Sequence, residues 1–544
     1  MEDKLKTKIA YFCMEYGLDE ELPLYAGGLG ILAGDYLKAA KKIDAPIVGI
    51  GIRWWQDYTH QYINNKGYPY DEFPINELEF LEDTGVSVDI EIEHNNIPCK
   101  IYKVEKYNNA PLYLLDTGHP DSEFGWITDR LYSGNKKERI AQEILLGIGG
   151  VKALRALNIE VDKYHFNEGH AAFAGIKLIN EKMNEENLSL EDAIEKNKEN
   201  IIFTTHTPVP AGNEKHNLEN LQQMGLDKYL SRNQLVKIGG DPFDMTAACL
   251  KMSSIANGVS KLHQKTAQNM WKNLDNTGPI ISVTNGVNVE TWQAPEIKKA
   301  YENDKDIWEV HLKLKNELVN YIKENTNARM NPENLIIGFA RRAAPYKRGE
   351  LIFRDTSKIE EHLKNGSLQL VFSGKAHPED HYGKNIVASL VKMDQKYEDS
   401  VVFLENYNME IAKYLTRGCD VWLNNPRRPL EASGTSGMKV AMNGGLNLSV
   451  LDGWVAEGVE HGTHGWIFDE IFPELDETLG EDKKDMEALY KIINEEVIPT
   501  YYDNREKWIE MMKASIEMSH YDFSAERMVK EYYNKMYSKL ALPL

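Results

Sequence analysis

The chain has 544 residues, more than one hydrophobic core accommodates at about 100–200 residues per domain, so two to four domains are expected and two large α/β domains are allowed. With 42% hydrophobic and 27% charged residues it has the composition of a soluble globular protein, and 63 basic against 84 acidic residues leave a net charge of -21. That balance argues against a nucleic-acid partner or an anionic membrane surface, and an anionic substrate would need a locally basic pocket. The four cysteines, Cys13, Cys99, Cys249 and Cys419, form no CxxC pair and read as reduced, buried residues of a cytoplasmic protein rather than as metal ligands. The N-terminal stretch shows no signal-peptide core and no apolar run reaches about 18 residues, so neither a leader nor a membrane span is expected.

KIAYFCME (8–15) reads as a buried strand, followed by a long loop that ends in LYAGGLGILAGDYLKAAKK. Gly27, Gly28 and Gly30 are expected to precede a helix over roughly 31–42, and APIVGIGI (45–52) is the next strand. Strand, glycine loop, helix and strand in that order open a doubly wound α/β domain. KYHFNEGHAAFAGIKLINEK (163–182) repeats strand, turn and helix, NIIFTTHTPVP (200–210) adds a strand, and ISVTNGVNVETW (281–292) looks like a closing turn before a charged helical stretch at 296–327. The pattern then restarts, with strands expected at 335–340, 368–374, 400–406, 420–425 and 446–452 and helices such as 384–397 and 409–418 between them. FSAERMVKEYYNKMY (523–537) is an amphipathic C-terminal helix. The domains are therefore placed at 1–300 and 301–515, with 516–544 packing back on the first, and a ligand cleft is expected between the halves.

Four constellations could carry chemistry. AGGLG (26–30) opens a helix with glycines, which lets backbone N–H groups approach an anion, although glycine loops also serve plain turns. It is neither a Walker loop nor GxGxxG. GFARRAAPYKRGE (338–350) puts Arg341, Arg342, Lys347 and Arg348 directly after a strand, where an Arg fork and a lysine suit a phosphate dianion better than a solvated face. FNEGH (166–170) and TTHTPVPAGNEKH (204–216) carry His170, His206 and His216, and Glu168; convergence on a metal is not required by their spacing, and polar groups holding sugar hydroxyls are the preferred reading. Finally, in EASGTSGMKVAMNGG (431–445) a glycine-rich turn leads into a short helix carrying Lys439 among small apolar residues. A buried lysine must be neutralised, paired or bonded, and a Schiff base with pyridoxal phosphate meets that demand as well as a surface lysine would explain the stretch.

Taken together, YFCMEYGLDEELPLYAGGLGILAGDYLKAA, HFNEGHAAFA, TTHTPVP, NGVSKLH, VTNGVNVETW, ARRAAPYKR, VFLENY and PLEASGTSGMKVAMNGGLNLSVLDG resemble, in the same order, the motifs of the α-glucan (glycogen, starch, maltodextrin) phosphorylases, in their short bacterial and archaeal form. The resemblance implies the GT-B architecture, two Rossmann-like domains facing a cleft, with pyridoxal phosphate on Lys439. It further implies that Thr435, Ser436, neighbouring N–H groups and Arg341 hold the cofactor phosphate, that Tyr407 and Gly28 lie on the cofactor side, and that Arg342, Lys347, Gly28 and Tyr346 bind the substrate phosphate. His206, Asn285, Glu431, Ser433 and Gly434 match positions that hold the glucosyl hydroxyls, and the His206 carbonyl would lie near the developing positive charge.

The implied reaction is retaining phosphorolysis of a terminal α-1,4 bond to glucose-1-phosphate, in which phosphate rather than a carboxylic acid moves the proton. This accounts for the absence of a recognisable carboxylate pair or GxSxG elbow. No metal is expected; the partners are an α-1,4-glucan or maltodextrin and inorganic phosphate, and a homodimer is the assembly common in the family. Where long members read GTGNMK and KRIHEYKR this chain reads GTSGMK and RRAAPYKR, so the finer phosphate contacts are expected to differ. Without an N-terminal extension for a phosphorylation switch, simple or no allosteric control is expected. A nucleotide-sugar glucosyltransferase of the glycogen-synthase kind would share the architecture but has no use for Lys439, and a silent glucan-binding relative should have lost part of Arg342, Lys347 and Lys439.

Overall fold

The structure, a computed structural model, describes residues 5–209, 212–468 and 480–538, and these divide into two compact units. One comprises residues up to Tyr58, Phe73–Asn285 and the chain from Ala525; the other comprises Thr59–Glu72 and Gly286–Ser524.

The first unit is built on one sheet whose strands are β1 (Ile9–Phe12), β2 (Ile47–Ile52), β3 (Glu82–Ile92), β4 (Asn95–Val104), β5 (Leu112–Asp116), β6 (Lys163–Asn167), β7 (Ile201–Thr204), β8 (Ile255–Gly258) and β9 (Ile280–Ser282). Their order is β9-β8-β7-β6-β1-β2-β5-β4-β3. The strands from β9 to β5 run parallel, and β4 pairs antiparallel with both β5 and β3. β1 reads IAYF with every residue buried, as a strand covered on both faces must. β3 instead alternates between exposed and half-buried positions over most of its length, because it lies at the sheet edge with one face towards solvent. The chain leaves β1 for β2 on one side and later returns to β6 on the other, which makes β1/β6 the switch point of the sheet.

The second unit has a fully parallel sheet of β10 (Leu335–Ala340), β11 (Leu368–Ser373), β12 (Val401–Leu404), β13 (Val421–Asn424), β14 (Leu446–Ser449) and β15 (Gly465–Ile467), ordered β12-β11-β10-β13-β14-β15. Its switch point is β10/β13. Two α/β units with predominantly parallel sheets are the class expected from the sequence.

Three boundaries differ from that expectation. The first unit ends at Asn285 rather than 300, because Ala294, Ile297, Ala300, Ile307 and Trp308 are buried in the second unit's core. The returning segment starts at Ala525 rather than 516, since Trp508, Met511, Met512 and Ile516 of the helix Arg505–Asp522 belong to the second core, and Ala525, Met528 and Val529 to the first. The hairpin Thr59–Glu72 also belongs to the second unit: Lys384 pairs with Asp71 at 2.5 Å, and the Gln61 side chain accepts the Ala376 N–H at 2.9 Å. Within the first unit the C-terminal helix Ala525–Tyr532 lies against the helix Gly28–Lys42, and the following Tyr537 hydroxyl meets Tyr36 and His165, each at 2.6 Å.

Candidate functional site

In parallel sheets, ligand-binding groups gather beyond the carboxyl ends of strands beside the switch point. In the first unit those ends carry Glu15 after β1, Asn167 and Glu168 at β6, and His206 after β7. The helix after β1 starts at Gly28, with Gly27 as its N-cap, so Gly28 and Gly30 lie inside its first turn rather than before it as the sequence suggested. A Cβ on Gly30 would come within 2.6 Å of the Tyr25 side chain and 2.7 Å of Glu15 Oε2, whereas Gly27 and Gly28 face open space. Glu15 Oε2 accepts the N–H groups of Ala26 at 2.7 Å and Gly27 at 3.1 Å, and the Tyr132 hydroxyl donates to Oε1 at 2.8 Å.

His206 is held by a second buried carboxylate. Glu168 Oε1 accepts the His206 N–H at 2.5 Å and the Thr207 hydroxyl at 2.9 Å, with Glu168 itself at φ 74°. A non-glycine residue in that region costs about 1–3 kcal/mol and is retained where its side chain is needed in place. The His206 Nε2–H donates to Asn167 Oδ1 at 2.6 Å, which leaves Nδ1 as the acceptor of a neutral ring. Burial, with His263 and His170 adding repulsion, holds His206 down at about 3, so the ring is neutral near pH 7. Asn285 is buried, its N–H donates to the Val259 carbonyl at 3.1 Å, and Arg527 from the C-terminal helix donates to its carbonyl at 2.8 Å. Its Oδ1 has no hydrogen-bond partner among the described residues.

His170, His206 and His216 form no common metal-ligating group among the described residues. His216 Nε2 meets Glu143 Oε2 at 2.7 Å, beside Glu214, which accepts from Arg139 Nε at 3.0 Å. Glu143, Glu214 and His216 could together hold a metal ion, although Arg139 already neutralises Glu214. Pro210 and Ala211 of the His206 loop lie outside the described residues.

In the second unit, the ends of β10 and β13 are joined by Arg341, whose Nη1 donates to Asn424 Oδ1 across the switch point. Arg341 Nη2 donates to Glu431 Oε2 at 2.7 Å, and Lys347 Nζ donates to the same oxygen while lying 4.7 Å from the Tyr346 ring centroid. Burial opposes the Glu431 charge, but Arg341 and Lys347 outweigh it and hold the carboxyl below its ordinary range. Asp452 accepts the Glu431 N–H at 2.9 Å and the Gly453 N–H at 2.8 Å, and burial pushes it up to about 7. Burial raises the Tyr407 phenol well above its ordinary value, and the charge of Arg341 partly offsets this. Ser433 is buried with an Oγ that has no partner among the described residues. Gly434 sits at φ 84°, and a Cβ there would lie 3.1 Å from Glu431 Cγ and 3.4 Å from Arg341 Nη2.

Of the four cations read after β10, Arg348 is structural: it donates to Asp485 at 2.6 Å, Asp482 at 3.0 Å and the Pro426 carbonyl at 2.9 Å. Arg342 is exposed and makes no ion pair among the described residues. Arg341 and Lys347 thus bring two positive charges to one ionised carboxylate in a protein of net charge -21. That surplus suits an anion.

Lys439 is buried in the helix Ser436–Ala441, its Nζ 3.6 Å from the Trp292 ring centroid. Asn443 Nδ2 donates to the carbonyls of Lys439 at 2.8 Å and Trp292 at 3.0 Å, and Ser519 donates to the Met438 carbonyl at 2.6 Å, which fixes this helix against its surroundings. Thr435 is the N-cap without a side-chain cap bond, so its hydroxyl remains available. Ser436 Oγ accepts from Trp422 Nε1 at 3.0 Å and keeps its own proton to donate. A buried amine, first-turn N–H groups, two hydroxyls and an arginine are the donor set that an aldehyde bearing a phosphate requires, and pyridoxal phosphate fits these residues.

Sequence reading missed Glu15, Trp292 and Asp452, and weighed Glu168 only as a metal ligand. Each is a single acid or aromatic in an unremarkable context, and only the acids at strand ends, in FCME and FNEG, offered a signal.

A family model described as carbohydrate phosphorylase matches residues 295–472. The chain is 40% identical, over 98% of its own length and 71% of the relative's, to the maltodextrin phosphorylase of Thermococcus litoralis. It is 35% identical to the glycogen phosphorylase of Mycobacterium tuberculosis, covering 99% of this chain and 71% of that one. It is 34% identical to the glycogen phosphorylase of Aquifex aeolicus, covering 99% and 87%.

Proposed function

The chain belongs to the carbohydrate phosphorylase family, and we propose that it is an α-1,4-glucan phosphorylase that transfers the glucosyl unit at the non-reducing end of maltodextrin, glycogen or starch to inorganic phosphate, with retention, giving glucose-1-phosphate. The observation that carries the reading is the buried surplus of positive charge formed by Arg341 and Lys347 around Glu431. Members of this family generally use pyridoxal phosphate, and we assign the lysine that carries it here to Lys439.

When bound, that cofactor supplies a phosphate able to lend a proton to the substrate phosphate and take it back. Thr435, Ser436 and the helix N–H groups, with Arg341, would hold the cofactor phosphate, and Tyr407 would lie beside the cofactor. In the second unit Lys347, Arg342 and Tyr346 are assigned to the substrate phosphate, and in the first unit the N–H of Gly28 is assigned to it. Arginine's planar fork and lysine's point charge together offset the repulsion between two phosphates. Gly28 has no Cβ to obstruct an anion at its N–H.

The glucosyl hydroxyls are assigned to Asn285 Oδ1, Ser433 Oγ, Gly434, Glu431 and the neutral His206 ring, whose Nδ1 can only accept. A neutral His206 leaves its backbone carbonyl as the electron-rich group near positive charge developing at the anomeric carbon. Glu431 has a second duty, since it holds Arg341 and Lys347 in place.

No helix among the described residues is long and apolar enough to cross a membrane. Four buried, free cysteines support a reducing compartment, the cytoplasm. The homodimer is part of the same proposal and is read by light scattering. The test of the function is to incubate the protein with maltodextrin and phosphate and assay glucose-1-phosphate. Lys439→Ala should abolish both the product and the borohydride-fixed cofactor mass, and undiminished product from the variant would overturn the assignment.

A further inference from the structure

We infer that Glu15 is the positioning residue of the glycine loop, an internal anion that gathers part of the loop's N–H groups and leaves the remainder for the substrate phosphate. This rests on the phosphorylase reading above. Glu15 is the third residue past β1, 3% exposed, and its carboxylate receives donors on both oxygens. Ala26 N–H at 2.7 Å and Gly27 N–H at 3.1 Å converge on one oxygen, the nearby Gly30 N–H helps lower the carboxyl, and the Tyr132 hydroxyl at 2.8 Å fixes the other oxygen. Burial raises the Glu15 carboxyl, and these donors pull it back.

The donors left over are informative. The first-turn N–H groups of a helix have no intrahelical acceptor, and here the Gly30 N–H lies near enough to Glu15 to lower its carboxyl, while the Ile31 N–H reaches the Gly27 carbonyl at 3.2 Å. Among the described residues no acceptor is paired with the N–H groups of Gly28 and Leu29. Glycine at 30 is required for the arrangement, since any Cβ would meet the Glu15 carboxylate and Tyr25. The helix is pinned to the chain after β1 on the same side: the Gly17 N–H donates to the Gly30 carbonyl at 2.8 Å, and a Cβ on Gly34 would come within 2.1 Å of the Gly17 carbonyl oxygen. The carboxylate thus gathers its neighbours' N–H groups and leaves those of Gly28 and Leu29 without an acceptor among the described residues, without itself touching substrate.

Three variants test this in the cofactor-loaded protein. Glu15→Leu removes every acceptor, and is expected to raise the KM for inorganic phosphate by about tenfold or more while the KM for maltodextrin stays within about threefold. Amide hydrogen exchange at Ala26, Gly27 and Gly30 should accelerate by at least about tenfold. Glu15→Gln keeps one oxygen for the three N–H groups and turns its amide to the Tyr132 hydroxyl, so it should bring the phosphate KM back to within about threefold of the parent. If Glu15→Leu does not fold, Tyr132→Phe frees Oε1 alone and should raise the phosphate KM and the same three exchange rates in the same direction. A common rise of both KM values, a Gln variant no better than Leu, or unchanged exchange would overturn the inference. Absence of phosphorolysis in the parent protein would instead refute the functional reading, while the exchange rates would still decide whether Glu15 holds the loop.

Discussion

Glu431→Gln tests the charge arrangement most directly. The side chain keeps its volume and one acceptor oxygen but loses the charge on which Arg341 and Lys347 converge. Removing one partner of a buried ion pair costs about 3–5 kcal/mol, because the charge left behind stays buried. Arg341 retains Asn424 and Lys347 retains the Tyr346 ring, so the lower end, about 3 kcal/mol, is expected. For a unit of about 250 residues, each kcal/mol moves the midpoint by about 2–4 °C, which gives a fall of about 6–12 °C. The sign with pH follows from the Glu431 carboxyl lying below its ordinary range in the folded protein. Its contribution is present above the unfolded value near 4.3 and is lost as pH falls through the folded value, so parent and variant should converge in acid. Added phosphate should restore part of the loss, about 2.7 kcal/mol at a concentration 100 times its Kd. The assay is calorimetry of the cofactor-loaded protein at pH 7 and below pH 4, with and without phosphate. A variant as stable as the parent at pH 7 without phosphate would refute the buried triad.

Arg342→Gln should separate function from stability: the side chain is exposed, so the melting temperature should stay within about 1 °C, while kcat/KM for phosphate falls about 100-fold, read by a glucose-1-phosphate assay. Lys315→Met should do the opposite; Lys315 is fully buried between Asp420, the Tyr501 hydroxyl at 2.8 Å and the Asn334 carbonyl at 2.6 Å, and its loss should cost about 3–5 kcal/mol in urea unfolding with KM values unchanged. Asp452, pushed up to about 7 by burial, keeps its proton in the folded state over a range where the unfolded chain has released it. Folded stability should therefore decline as pH rises from about 4 to about 7, and Asp452→Asn should flatten that slope in urea titrations at pH 5 and pH 8.

The parts of the fold that were legible are those dictated by local pattern. β10 is LIIGFA, buried at every position, and the helix Met409–Gly418 falls where its apolar spacing put it. The hairpin Thr59–Glu72 was not legible as part of the second unit, because a chain excursion is decided by distant partners such as Lys384 and Ala376, not by its own residues. Nor was the start of the first helix at Gly28 legible, since glycine's low helix propensity pointed the other way and the Glu15 carboxylate overrode it.

The sequence by itself determined the α/β class, the basic run after β10, and Lys439 as a lysine that a plain core would not admit. It did so because side-chain chemistry and short-range spacing are written in the chain. Only the tertiary structure decided what each charge meets. It separated Arg348, tied to Asp482 and Asp485, from Arg341 and Lys347, which share Glu431. It also set His216 against Glu143 and His206 against Asn167. Electrostatic worth depends on burial and on partners brought together across the fold, as at Arg341 and Glu431, which lie 90 residues apart in the chain.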